Sequence, residues 1–144
     1  MNLKMRQSVE NLMNSIVRRA QKLIERTGIE RSQMKETQLD NLLGVAMDTS
    51  SAEVVKNFIL YQVGRDSKRE DTWRYKGFGQ ELVREIDRLR NDIAKQVVGQ
   101  VKERPSEREI DDVWIYIIRQ YLGQLRRYFY YRKKEYETRE GEKA

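Results

Sequence analysis

The sequence predicts an all-α fold: a single-domain bundle of about five helices with a long C-terminal helix. Apolar residues make up 38% of the 144-residue chain and charged residues 36%, so the core must be built from narrow apolar stripes, which helices supply. One proline and eight scattered glycines leave few turn signals for a sandwich or barrel of short strands. Apolar positions recur at the short intervals that keep one face of a helix. A chain of this length holds one sizeable core and has no room for two ordinary domains.

The first helix is expected from about Asn2 to Arg26, with Val9, Leu12, Met13, Ile16, Val17, Ala20, Leu23 and Ile24 on one face and Gly28 as its C-terminal cap. Thr37 is the expected cap of a short second helix carrying Leu39, Leu42, Leu43, Ala46 and Met47, with Asp40 as its capping-box partner. Ser50 and Glu53 repeat that signal for a third helix through Val54, Val55, Phe58, Ile59 and Val63, which ends at Gly64. An irregular stretch follows, then a long fourth helix from about Gly79 to Arg104 with Leu82, Val83, Ile86, Leu89, Ile93, Val97 and Val101 inward. Pro105 ends it, and Ser106 with Glu109 caps a fifth helix whose band includes Ile110, Val113, Trp114, Ile117, Ile118, Tyr121, Leu122, Leu125, Tyr128 and Phe129. The polar residues from Glu137 to Ala144 are expected to fray.

Lys and Arg exceed Asp and Glu by 29 to 23, a net charge of +6 that favours a polyanionic partner. Cysteine and histidine are both absent, which removes zinc sites built on thiolate or imidazole, thiol nucleophiles and His-assisted chemistry. No cofactor is expected, nor catalysis. Glu81, Glu85 and Asp92, with Asp111 and Asp112, invite comparison with a magnesium site, but carboxylates four apart on a charged helix read as ion-pair partners of Arg84 and Arg88. No apolar run reaches the roughly eighteen residues of a membrane span, and the N-terminal residues lack the apolar block of a signal peptide, so no membrane partner and a cytoplasmic location are expected.

The stretch from Val113 to Lys134 is the most informative. It holds seven of the chain's aromatics and six of its basic residues, and no acid. Arg119, Arg126 and Lys133 are seven apart, a spacing that returns to one side of a helix and suits a run of phosphates. Arg127, Tyr130 and Lys134 fall near that side and join the candidate RNA contacts. A second candidate contact is the irregular stretch after Gly64, where Arg65, Lys68, Arg69, Arg74 and Lys76 are mixed with Trp73, Tyr75 and Phe78. The same loop also reads as a surface segment pinned by Trp73 and Phe78. No base-reading helix emerges, so backbone contact is expected rather than sequence readout.

Two short motifs carry a family resemblance. ETQLDNLL, from Glu36 to Leu43, resembles the small-hydroxyl, Gln, aliphatic run that opens a helix in the small helical subunit of type III CRISPR effector complexes, with Thr37, Gln38, Leu39 and Leu43 fitting. YQVGR, from Tyr61 to Arg65, is similar to the Tyr and Gly-Arg ending of that family's next helix. Asp40 departs from the pattern, standing where the family tends to carry a basic residue. The resemblance implies a non-catalytic RNA-binding subunit whose copies stack along a filament of larger CRISPR effector subunits and touch the guide RNA and its paired target nucleic acid. It assigns Arg65 a phosphate contact. A helical protein-protein adaptor or homo-oligomer without nucleic-acid binding is the competing reading.

Overall fold

The computed structural model describes residues 1–66 and 71–143, and these form α-helices and short helical turns with no strand. In chain order the helices are α1 (Leu3–Asn11), α2 (Met13–Thr27), α3 (Glu36–Asp48), α4 (Ala52–Arg65), α5 (Phe78–Leu89), α6 (Lys95–Val101) and α7 (Glu107–Lys143). Two 3₁₀ turns, Ile29–Arg31 and Tyr75–Gly77, and one π turn, Arg90–Ala94, complete the path. The all-α architecture and the long C-terminal helix are as the sequence predicts. Its expected first and fourth helices are each divided in two.

The first division falls at Leu12, whose φ of −103° and ψ of 6° break the helix. The bend lets α1 pack against α6, where Ser8 Oγ donates to Gln100 Oε1 at 2.9 Å, while α2 packs against α7. The second division is the π turn. Arg90 N–H turns to the Asp87 carbonyl, and the Nε1–H of Trp114 on α7 donates to the Ile86 carbonyl at 2.8 Å. A side chain inserted into the helical ladder is one of the recognised causes of such a distortion.

Helix ends obey capping chemistry, not always at the expected residue. Gly28 takes the left-handed conformation, φ 65°, that lets α2 close its last turn. Ser106 Oγ accepts from Glu109 N–H at 3.1 Å and Glu109 Oε1 accepts from Ser106 N–H at 3.2 Å, the reciprocal box expected for α7. The other two boxes are corrected. Helix α3 starts one residue before Thr37, with Gln38 Oε1 accepting from Lys35 N–H at 2.9 Å, and Asp40 turns to Arg126 instead. Ser51, not Ser50, caps α4 through Val54 N–H at 3.3 Å, while Glu53 pairs with Lys56. Gly64 lies inside α4, which runs on to Arg65 and is closed by Asp66. Helix α7 stays regular through Lys143, so the expected frayed tail is helical over its described residues.

Helix α7 organises the bundle. Its 37 residues extend over about 55 Å at 1.5 Å per residue, and only the segment from Ile110 to Phe129 is buried at intervals. That segment packs on α2, α3 and the π turn and contributes Trp114, Ile117, Ile118, Tyr121, Leu122, Leu125 and Phe129 to one continuous core. Trp73 and Phe78 pin the loop after α4 into the same core, their rings 6.1 Å apart. Asp66 holds that loop by accepting from Thr72 Oγ1 at 2.6 Å and from Arg74 N–H at 2.8 Å. Gly79 N–H donates to Trp73 O at 2.7 Å, and a Cβ there would sit 2.3 Å from Val63 Cγ2, so only glycine allows α5 to approach α4 this closely.

Candidate nucleic-acid interface

Each step along α7 turns the side chain by roughly 100°, and the helix shows three faces. The first is the core face just described. The second carries Arg119, Arg126 and Lys133, and it looks toward α3 and the turn before it. Arg119 Nε and Nη2 donate to the carbonyls of Ala46 and Thr49, both at 2.8 Å. These carbonyls lie at the C-terminal end of α3, where orphaned acceptors and the negative end of the helix dipole favour a cation. Arg126 is paired with Asp40 of α3. Lys133 Nζ donates to Ser32 O at 3.1 Å beside the Phe129 ring, and burial holds its ammonium below the ordinary lysine range.

The stripe expected to lie along phosphates is therefore a half-exposed seam, its cations engaged by α3 and the turn before it. A helix end rich in free carbonyls, with an acid about two turns before it, matches cations at this spacing as well as a nucleic-acid backbone does. Asp40, which departs from the family pattern, is the local counter-charge for one of them.

The third face remains open. Arg127 is exposed and makes no ion pair or side-chain hydrogen bond among the described residues. Tyr130 is 45% exposed, and Lys134 Nζ lies 5.4 Å from the centre of its ring. Positions 127, 130 and 134 share one helical side. Tyr131, a residue to which charge and spacing assign no role, adjoins them at 56% exposure.

The other candidates sit elsewhere. Arg65, at the last turn of α4, is exposed and stacks over Tyr61, 5.4 Å from the ring centre. Arg74 Nε donates to Val63 O at 2.9 Å and so helps close the end of α4. Lys76 is exposed in a left-handed backbone conformation, φ 49°, just before Gly77 at φ 73°. Lys68 and Arg69 lie outside the described residues.

Of the carboxylates compared with a magnesium site, Glu81, Glu85, Asp92 and Asp111 are engaged by arginines. Glu85, 6% exposed, accepts from Arg19 at 2.6 Å and from Arg88 at 3.3 Å. Arg19 also reaches Asp92, Glu81 pairs with Arg84 and Arg26, and Asp111 pairs with Arg90. Sequence reasoning misses Arg132 and Glu30, an ion pair at 3.1 Å in which Glu30 is almost wholly buried. The signal for Arg132 is its place four residues after Tyr128, which turns it toward the bundle.

Comparison of the chain with models of known protein families finds no match, and neither the curated proteins nor the solved structures searched yield one. No helix among the described residues is long and apolar enough to cross a membrane.

Proposed function

We propose that this chain is a non-enzymatic RNA-binding subunit of a larger ribonucleoprotein, in the manner its resemblance to the small subunit of type III CRISPR effectors implies. The observation that carries the reading is the open face of α7. Arg127, Tyr130 and Lys134 combine two cations with an exposed ring and no acid between them, which is the chemistry that holds single strands by phosphate pairing and base stacking. Contacts of this kind support binding without sequence readout. Guide RNA, target strand and larger effector subunits are the partners that follow from the resemblance.

The test is fluorescence anisotropy with labelled single-stranded RNA over a range of salt. Arg127→Ala and Lys134→Ala are each expected to weaken binding and to lower the slope of log K against log salt by about 0.7 for each phosphate left without its cation. Tyr130→Ala should cost about 1–3 kcal/mol of binding, and all three variants should melt with the parent because their side chains are exposed. Unchanged affinity in all three would remove this reading.

The adaptor or homo-oligomer reading is favoured by a different surface. Val54 and Tyr61, seven residues apart on one side of α4, are 48% and 59% exposed, with only Arg65 over the Tyr61 ring, and Leu60 is 48% exposed beside them. Sedimentation without nucleic acid separates the two, since self-association through α4 gives a stable oligomer that RNA does not alter.

A further inference from the structure

The open face of α7 does not end at Arg127. Toward the N-terminus, at intervals of four and three residues, the same side of the helix carries Gly123, Gln120 and Tyr116. Tyr116 is partly buried against the core, and its ring lies under Arg6 of α1, whose guanidinium carbon is 5.9 Å from the ring centre. Arg6 itself is exposed. The pair repeats what Lys134 and Tyr130 make at 5.4 Å, a flat ring with a cation over it. Tyr116 precedes Tyr130 by 14 residues, which is about 21 Å of helix at 1.5 Å per residue.

What lies between these two pairs suits a nucleic-acid strand better than a protein. Gln120 and Gln124 are half-buried amides that make no side-chain hydrogen bond among the described residues. Gly123 presents bare backbone, with nothing within 4 Å of where a Cβ would stand. Asp112, one turn before Tyr116, and Glu137, one turn after Lys134, are the nearest acids on this side, so its charge is positive along its length and negative only beyond its ends. A partner helix would need a row of apolar anchors, and among the described residues of this row only Tyr130 is a large apolar side chain that stands exposed.

We propose that a single strand of RNA runs along this face from Arg6 and Tyr116 at one end to Tyr130 and Lys134 at the other, over Gln120, Gly123, Gln124 and Arg127. At the first end a base lies on the Arg6 guanidinium, a stacking plane in its own right, which the Tyr116 ring backs. At the second end a base lies on Tyr130, with Lys134 and Arg127 pairing phosphates. At the 3.4 Å rise of stacked nucleotides the span takes about six steps, so about seven nucleotides fill it. A strand long enough to hold one end meets the other at high effective concentration, whereas a shorter one holds one end at a time. The inference rests on the RNA reading of Arg127, Tyr130 and Lys134 and adds to it a second contact and a length.

The experiment measures anisotropy of the full chain with labelled RNA homopolymers from about two to about twelve nucleotides long. Parent affinity is expected to rise steeply up to about seven nucleotides and to flatten beyond. Arg6→Ala weakens a strand of about eight nucleotides by about tenfold and one of about three by no more than about twofold, because the short strand still holds the Tyr130 end. Gly123→Glu weakens the longer strand by about tenfold or more, while Gly123→Gln leaves it within about twofold, which separates charge from bulk. Both glycine variants melt at or above the parent, since the position is open and either residue is a better helix former. Parent affinity that does not grow beyond about three nucleotides, or an Arg6→Ala or Gly123→Glu variant that binds the longer strand like the parent, overturns the proposal. If Tyr130→Ala weakens binding in that case, the RNA reading stands without the longer path. If Arg127→Ala, Tyr130→Ala and Lys134→Ala are silent as well, both fall.

Discussion

Arg119 shows how much one side chain can decide. Its guanidinium fork serves two carbonyls at the end of α3, and each hydrogen bond to a charged group contributes about 1.5–3 kcal/mol. Arg119→Ala is therefore expected to lower stability by about 2–4 kcal/mol in urea denaturation, with Arg119→Lys recovering part because an ammonium lacks the planar fork. Tyr121 is the reverse case: a buried phenol whose hydroxyl has no hydrogen-bond partner among the described residues. Burial, then the nearby charge of Glu85, pushes its pKa well above the ordinary 10.0. With the folded value raised, the unfolded chain gives up this proton first, so the group's stability is complete below pH 10 and is lost as pH climbs from there toward the folded value. Tyr121→Phe should be neutral or stabilising at pH 7, and should show a shallower loss of stability than the parent above about pH 10, the phenol's unfolded value.

Among the elements, α5 is the most tightly constrained. Its second residue, Gly79, meets Val63 of α4 and the Trp73 carbonyl with no room for a methyl group, since a Cβ would fall 2.3 Å and 3.0 Å from them. Gly79→Ala is expected to cost about 1–3 kcal/mol through overpacking, visible as a lower denaturation midpoint, even though alanine has the better helix propensity. Helix α7 teaches a different lesson about what a sequence discloses. Its apolar band is legible because Ile110, Val113, Trp114, Ile117, Ile118, Tyr121, Leu125 and Phe129 repeat at helical spacing and are buried. The fate of its basic stripe is not. Arg119 and Lys133 bind main-chain carbonyls, which have no sequence signature, and Arg126 finds Asp40 across 86 positions. Periodicity tells which residues share a face, and only packing tells what covers it.

At the scale of the molecule, the all-α architecture with its long C-terminal helix can be read from composition and stop signals, while the bend at Leu12 and the π turn cannot. Both depend on contacts between distant helices: α1 with α6, and Trp114 with Ile86. The candidate site divides in the same way. Arg127, Tyr130 and Lys134 follow from charge and spacing, whereas the Glu30–Arg132 pair depends on a turn and a helix 102 positions apart.

The long-range polar ties of α7 also bear on how the chain is made. Tyr128 Oη donates to Glu25, Arg132 to Glu30 and Lys133 to Ser32, across 103, 102 and 101 positions, and Arg119 and Arg126 span 70 to 86. Every one of them joins the first half of the chain to its last quarter. On a ribosome, α2 and α3 emerge before α7, with apolar faces and unanswered carbonyls that α7 covers in the folded chain. Native packing of these two helices therefore waits until α7 has been made, and until then their apolar faces stay exposed to association.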